Sequence, residues 1–420
     1  MKYLYYNSKN VLNIENVDLL SLANLNRTPF YVYSHAEIIK NCEEILSTFG
    51  QIDILPCYAL KANFNPVLLK IIVSQGFGVD VVSGGELFFA LQSGVPADKI
   101  VFAGVGKTEE EIEEAVKVGI HSLNIESESE LNTVARIVQN YKKNIAIGIR
   151  VNPDIDPKTH PYISTGQLSN KFGVAKATAL NLYQKADALD YIDPVSIHVH
   201  IGSQIQTAEP YRATVKFLKN FISELQLLGI DIKHIDLGGG IGIDYENQYT
   251  DDNLPRTFIQ EILPELLKPL RNENKKILIE LGRSIIGSAG LLITKVLYIK
   301  NSLKKKFIVV DAAMNNLIRP SLYNAYHQIV PVQSGQKKSE KVDIVGPVCE
   351  STDFFARDRL LPLLNEGDYL AITGVGAYGQ ALASNYNLRP IVAEYLVEND
   401  RYRTIFKGQS IREILQKYNL

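Results

Sequence analysis

From residue 53 onward the chain alternates short, β-branched apolar runs with longer amphipathic segments. The runs are DILPCYAL (53–60), FGVDVV (77–82), IVFAG (100–104), SLNI (122–125), NIAIGIRV (144–151), VSIHVHI (195–201), HIDLG (234–238) and ILIEL (277–281). Runs this short and apolar predict strands of a parallel sheet. Between them, NPVLLKIIVSQ (65–75), ESELNTVARIVQN (128–140) and YRATVKFLKNFISELQLL (211–228) repeat apolar residues near i, i+3, i+4 and i+7, which predicts helices. Eight strands with eight crossovers predict an α/β fold, a closed (β/α)8 TIM barrel. After about residue 285 the helical rhythm fades. LLITKVLYIK (291–300), KFIVVD (306–311), HQIVPVQ (327–333), KVDIVG (341–346), DYLAIT (368–373) and RPIVAEYLVEN (389–399) predict a separate β domain.

A length of 420 residues suits one large barrel plus a smaller module. With 44 Lys and Arg against 46 Asp and Glu, the formal net charge is −2, which offers no electrostatic footprint for nucleic acid or an anionic membrane. The segment MKYLYYNSKN lacks the apolar stretch of a signal peptide, and no run of 18 apolar residues occurs, so a cytoplasmic protein is expected. The 3 cysteines, Cys42, Cys57 and Cys349, form no CxxC motif, which excludes a disulfide framework and a thiolate zinc site.

Active sites of such barrels lie at the C-terminal ends of the strands, and the unusual residues collect there. Lys61 follows the first strand, Asp80 and Ser83 close the second, and Arg150 and Asn152 close the fifth. A lysine at the mouth of a desolvated barrel is a competent amine nucleophile for a carbonyl, although a strand-end lysine with a snorkelling stem is the commoner case. LGGGIGIDY (237–245) sets three glycines where a strand meets a loop, leaving N–H groups open to a phosphate. It fails the GxGxxG pattern at Ile243, and AGVGKT (103–108) fails the Walker pattern at Val101, so neither is a nucleotide loop.

His198 and His200 alternate about Val199, so both rings face one side of their strand. They suit a flat cofactor, or a metal with Asp236 or Glu280 as a further ligand, which is the case for a metal-dependent barrel hydrolase. Glu280, beside Arg283, suits a pyridinium partner next to a carboxylate-gripping guanidinium, or an ordinary ion pair. In the β domain GPVCESTD (346–353) sets Cys349 beside Glu350, and Arg319, Tyr323 and Tyr378 are polar anchors near strand ends and glycines.

Read together and in order, TPFYVYS (28–34), YALKAN, DVVSGGEL (80–87), VGKTEEE (105–111), RVNPDIDPKTHPYISTG (150–166), KFG (171–173), HVHIGSQ (198–204), LGGGIG, GRSIIG, RPSLYNAYH, GPVCESTD and GAYG resemble the diaminopimelate decarboxylases, of the alanine-racemase-like class of pyridoxal-phosphate enzymes. The resemblance implies a barrel over 31–285 and a β-sandwich or β-barrel domain built from 1–30 plus 286–420. It implies pyridoxal 5'-phosphate as cofactor, no metal, and decarboxylation of meso-2,6-diaminopimelate to L-lysine and CO2 in lysine biosynthesis.

By position, Lys61 resembles the Schiff-base lysine and His200 the ring packed on the cofactor face. Asp80, Ser203, Gly239, Gly240, Gly282, Arg283 and Tyr378 match cofactor-binding positions, and Glu280 the pyridinium partner. Arg283, Arg319, Tyr323, Glu350 and Tyr378 match substrate-binding positions. Cys349 and Glu350 match residues that a second subunit contributes, which implies a homodimer with shared active sites and a thiol as proton donor. Leu281 departs from the family, which usually has proline there. Decarboxylases of ornithine, arginine or carboxynorspermidine, and a cofactor-binding regulator without catalysis, are the alternatives within the same fold. Retention of Cys349 and Glu350 speaks against the regulator, because neither is needed to hold the cofactor.

Overall fold

In the computed structural model, residues 3–48, 53–156, 165–166, 170–246, 275–335 and 338–418 are described, together with helical positions 263, 264, 267 and 270. Residues 157–164 of the motif spanning 150–166 lie outside the described residues. The chain opens with three short antiparallel strands, β1 (Leu4–Tyr6), β2 (Leu12–Ile14) and β3 (Val17–Asp18), followed by β4 (Phe30–Ser34).

The eight apolar runs become eight parallel strands: β5 (Ile54–Ala59), β6 (Gly78–Val81), β7 (Ile100–Phe102), β8 (Ser122–Ile125), β9 (Ile145–Arg150), β10 (Ile192–His198), β11 (His234–Asp236) and β12 (Lys276–Leu281). They close into a barrel in chain order, β12 pairing with β5. Polar residues just past the strands start the helices. Asn65 caps Pro66–Ser74, Ser83 caps Gly84–Gln92, Thr108 forms a capping box with Glu111, and Ser127 caps Glu128–Tyr141. Each such cap stabilises its helix by about 0.5–2 kcal/mol. Ser83, singled out by its place in the sequence, is thereby accounted for as a helix cap.

Inside the barrel, Leu55, Cys57, Val101 and Leu278 form a buried apolar cluster. Toward the C-terminal ends the interior turns polar: Asp80, Asn124, Ser196, His198, Asp236 and Glu280 are all buried. Gly148 belongs to this crowded layer, since a Cβ there would lie 2.4 Å from Asn124 Oδ1. Buried polar groups cost free energy unless they are partnered, so this layer is there for chemistry rather than for packing. Leu281, at the usual proline position, is the last residue of β12, opposite Tyr58 and fully buried in the wall.

Downstream come β13 (Gly290–Asn301), β14 (Lys306–Val310), β15 (Ile329–Pro331), β16 (Ser339–Val345), β17 (Phe354–Pro362), β18 (Tyr369–Ile372), β19 (Ala393–Glu398) and β20 (Arg401–Phe406). They build a mixed sheet in the order β17-β16-β14-β13-β4-β19-β20, with β18 pairing both β13 and β15. The N-terminal strand β4 lies inside it, antiparallel to β13 and parallel to β19. Phe30, Tyr31, Val32 and Tyr33 are fully buried there.

Two compact units result: Met1–Lys40 with Asp244–Asn253 and Ile285–Leu420, and Asn41–Ile243 with Leu254–Ser284. The N-terminal segment therefore stays with the sheet beyond residue 30, because β4 takes its hydrogen bonds and its burial from β13 and β19. Among the described residues, no helix is long and apolar enough to cross a membrane.

Candidate active site

Lys61 sits in a single 3-10 turn, Leu60–Ala62, immediately after β5. Its Nζ lies 3.0 Å from Asp80 Oδ2; the lysine side chain is 34% exposed and Asp80 is fully buried. The amine thus stands at the boundary between solvent and barrel, aimed by a buried carboxyl group. Burial, and then the charge of Glu280, push Asp80 up to about 8, with Lys61 pulling the other way. Gly282 serves this turn as well: a Cβ there would come within 2.9 Å of Ala62 Cβ.

On the neighbouring strand β12, Glu280 lies near the C-terminal end, with His198 Nε2 at 3.3 Å from its Oε1. The alignment falls short of a hydrogen bond, and neither atom has another hydrogen-bond partner among the described residues. Burial works to raise the Glu280 carboxyl, but His198 and then Lys61 draw it below the usual carboxylate range. His198, Asp236 and Glu280 each bring one ligand atom within 4.8 Å of the others, a set that also has the chemistry of a metal centre. His200 is not part of it. Its Nδ1 is 3.0 Å from Thr165 Oγ1, and burial first, then the charge of Arg150, holds its ring down to about 3, so it is neutral.

The glycine run follows β11. Gly238 and Gly240 have φ of 62° and 103°, in the left-handed region that favours glycine. A Cβ on Gly239 would fall 1.8 Å from the Glu280 carbonyl oxygen, and one on Gly240 would fall 2.1 Å from the Gly202 carbonyl oxygen. The N–H groups of Gly239 and Gly240 meet no acceptor among the described residues, which makes this turn a ready anion cradle. Beside it, Arg283 Nη2 donates to Ser203 Oγ at 3.0 Å.

In the sheet-containing unit, Arg319 is buried and Tyr323 half-buried. Arg319 Nη1 donates to His327 Nε2 at 2.8 Å, while His327 Nδ1–H donates to the Thr373 carbonyl at 2.9 Å. That chain fixes His327 as the neutral Nδ1–H tautomer. The guanidinium also lies 4.8 Å from the Tyr245 ring centre. Tyr378 has φ of 56° and is half-buried.

Cys349 and Glu350 are exposed on a turn pinned from within by Asp353, whose carboxylate accepts from Met314 N and Val348 N, both at 2.7 Å. Asn387 Oδ1 accepts from Cys349 N at 3.0 Å. Cys42 and Cys57, by contrast, are fully buried, and burial pushes the Cys42 thiol up to about 12.

Sequence reasoning did not single out several supporting residues: His327 and Tyr245 around Arg319, Thr165 at His200, and Glu126, which pairs with Arg150 at 3.0 Å. All but Glu126 lie inside the quoted motifs, so a polar residue unexplained within a motif was the available signal. Glu126 lies between motifs, and nothing in the sequence marked it.

Residues 35–287 match the family model described as "Pyridoxal-dependent decarboxylase, pyridoxal binding domain". The chain is 46% identical over 415 residues to the diaminopimelate decarboxylase of Aquifex aeolicus, covering 99% of this chain and 97% of that one. It is 43% identical to the Helicobacter pylori enzyme of that name, over 92% of this chain and 95% of that one. Among solved structures, diaminopimelate decarboxylase from M. jannaschii superposes with a TM-score of 0.92 at 34% identity, covering 99% and 97% of the two chains. The H. pylori enzyme complexed with L-lysine superposes with a TM-score of 0.89 at 41% identity, covering 96% and 100%. This match replaces the metal-hydrolase reading, whose His198–His200 pair the structure also separates. On sequence and fold alike, the chain belongs to the pyridoxal-dependent decarboxylases, within the diaminopimelate decarboxylase family.

Proposed function

We infer that this chain decarboxylates meso-2,6-diaminopimelate to L-lysine and CO2, the closing step of lysine biosynthesis, with pyridoxal 5'-phosphate as cofactor. One observation carries the reading. The strand ends of a single barrel bear an amine, a neutral imidazole, a glycine cradle and a buried carboxylate, in a chain 46% identical to a diaminopimelate decarboxylase over nearly its whole length.

The residues fit the cofactor's chemistry. Lys61 offers the primary amine for its aldehyde, the Gly239–Gly240 cradle with Ser203 and Arg283 suits its phosphate, and Glu280 Oε1, buried without a hydrogen-bond partner among the described residues, suits its ring nitrogen. Asp80 orients the amine, and Gly282 seats the turn that carries it. When bound, pyridoxal phosphate supplies an electron-poor ring that accepts the electron pair left by the departing carboxylate.

The chain's own residues do the rest. With the cofactor bound, Glu280 would hold a proton on the ring nitrogen, and His200, neutral and braced by Thr165, would contact the ring without adding a competing cation. Arg283 suits a substrate carboxylate, and by the family resemblance Arg319, Tyr323 and Tyr378 are further substrate-binding positions, Tyr378 a phosphate-binding position as well. Cys349, or else Lys61, returns a proton to the substrate's Cα after CO2 leaves, and Glu350 receives the distal ammonium.

We read the working unit as a homodimer in which Cys349 and Glu350 complete the partner's site; their exposure on a rigid turn supports this. A cytoplasmic setting would keep that exposed thiol reduced. The deciding assay is CO2 release from meso-diaminopimelate by purified protein, with ornithine and arginine as controls. Faster release from either control would overturn the substrate assignment.

A further inference from the structure

His198, Asp236 and Glu280 lie at the C-terminal ends of three neighbouring strands, β10, β11 and β12, and are 1%, 1% and 3% exposed. Parallel register sets His198 beside Asp236, and Asp236 beside Leu278, two positions before Glu280 in the chain. Asp236 is fixed on both oxygens: Oδ1 accepts from Gly238 N at 3.0 Å and Oδ2 from the Asn124 amide at 3.4 Å. Its carboxyl group also lies beside that of Glu280, with ligand atoms of the two within 4.8 Å. Two carboxyl groups in buried contact share one proton, because both cannot ionise there.

Placement decides which one keeps the proton. Glu280 has His198 at 3.3 Å and feels the charge of Lys61. Asp236 is acted on chiefly by Glu280, Gly238 and Asn124, none of them a cation, while His198, within 4.8 Å of both carboxyls, makes its close approach to Glu280. Facing the same pair are Asp80 from β6 and the Cys57 thiol from β5, both biased by burial toward their neutral forms.

We propose that Asp236 keeps the shared proton and, with His198, acts as a positioning residue that holds Glu280 as the ionised carboxylate at this end of the barrel. Burial, and then the charge of Glu280, keep Asp236 well above the usual carboxylate range, in agreement with the geometry. The use of that ionised carboxylate toward the cofactor rests on the function proposed above; the location of the proton does not. Neither residue need touch the cofactor to matter. A proton on Glu280 would leave the ring nitrogen facing a neutral acid.

Infrared spectroscopy of the holoenzyme tests this directly. At neutral pH a protonated-carboxyl band that shifts in D2O should be present, move on isotopic labelling of aspartate carboxyls, and vanish in Asp236→Asn. Persistence of every such band in Asp236→Asn overturns the proposal. So does a labelled wild type with no protonated aspartate, which covers the case of a variant that fails to fold. His198→Phe should move the pH at which a Glu280-dependent band appears upward by at least about one unit, a tenfold change in proton affinity; an unmoved titration removes His198 from the role.

Cofactor labelled with 15N in its ring gives a second readout. Glu280→Gln should lose the protonated-nitrogen signature and Asp236→Asn should keep it. Loss in both to the same degree would make Asp236 the anion and overturn the assignment. Protein that shows the Asp236 band yet holds no pyridoxal phosphate would sink the functional reading alone and support the proton's location.

Discussion

Glu126→Ala should be among the most damaging single changes in the barrel. Glu126 Oε1 accepts from Arg150 Nη1 at 3.0 Å, and Oε2 accepts from Gly173 N at 2.8 Å. The two side chains are 1% and 8% exposed, and Arg150 also stacks over Phe172 at 4.6 Å. Removing the carboxylate leaves a desolvated guanidinium and a backbone N–H without their acceptor, and breaking one side of a buried pair costs about 3–5 kcal/mol. Glu126→Gln keeps an acceptor for one of the two bonds and should cost roughly 1–3 kcal/mol. The double change Glu126→Leu with Arg150→Met removes both charges and should come close to neutral, as buried pairs replaced by apolar side chains often do.

Because a chain of two units need not unfold in one transition, the measurement should be local. Native-state hydrogen exchange of amides in β8 and β9 reads the opening free energy of the strands that this pair joins. A loss under about 1 kcal/mol in Glu126→Ala, or a double variant as damaged as the single, would refute the account of Arg150 as a buried charge dependent on Glu126.

Lys61→Ala should abolish covalent, borohydride-fixable attachment of the cofactor, read by mass spectrometry; attachment at another lysine would move the site. Gly239→Ala forces the cradle away from the Glu280 carbonyl, 1.8 Å from the new Cβ, and should weaken cofactor binding at least tenfold, or about 1.4 kcal/mol, in a fluorescence titration. An unchanged Kd would show that the phosphate lies elsewhere. At the opposite end of the barrel, His121 and His234 pack with ring centres 4.9 Å apart. Burial first, then the charge of Lys276 on His121 and of His121 on His234, lowers both, His234 to about 4. Their folded pKa values lie below the unfolded value near 6.5, so the unfolded chain binds protons first and their stabilising effect is lost as pH falls from about 6.5 toward 4. His121→Asn with His234→Asn should flatten the fall in Tm over that window, and an identical fall would refute it. Mixing Lys61→Ala and Cys349→Ala proteins under subunit exchange should restore about a quarter of wild-type CO2 release, since half the dimers are mixed and half of their sites intact. No recovery despite proven exchange would place both residues in one chain's site.

The barrel strands were legible in the sequence because each carries its own apolar run bounded by a cap or a glycine, as with Gly78–Val81 before Ser83. Lys61, Glu280 and the glycine run were legible for a related reason: strand ends in a barrel have a known address. The edge strands β17 and β20 were not, because ARDR (356–359) and RYRT (401–404) are largely solvated and carry no apolar signal. β4 could be read as a strand-like motif, but its membership of the sheet after β12 depends on partners some 260 and 360 residues away along the chain.

The site divides the same way. Alternation along β10 puts His198 and His200 on one face, yet the end of the strand at His198 and the Thr165 bond separate them. Only the parallel pairing of the strands brings His198 to Glu280, Asp80 to Lys61 and Arg150 to Glu126. A strand's sequence fixes which face a side chain takes. Which charge it meets across the barrel depends on the register of other strands, and burial then sets the protonation state that makes the pair useful.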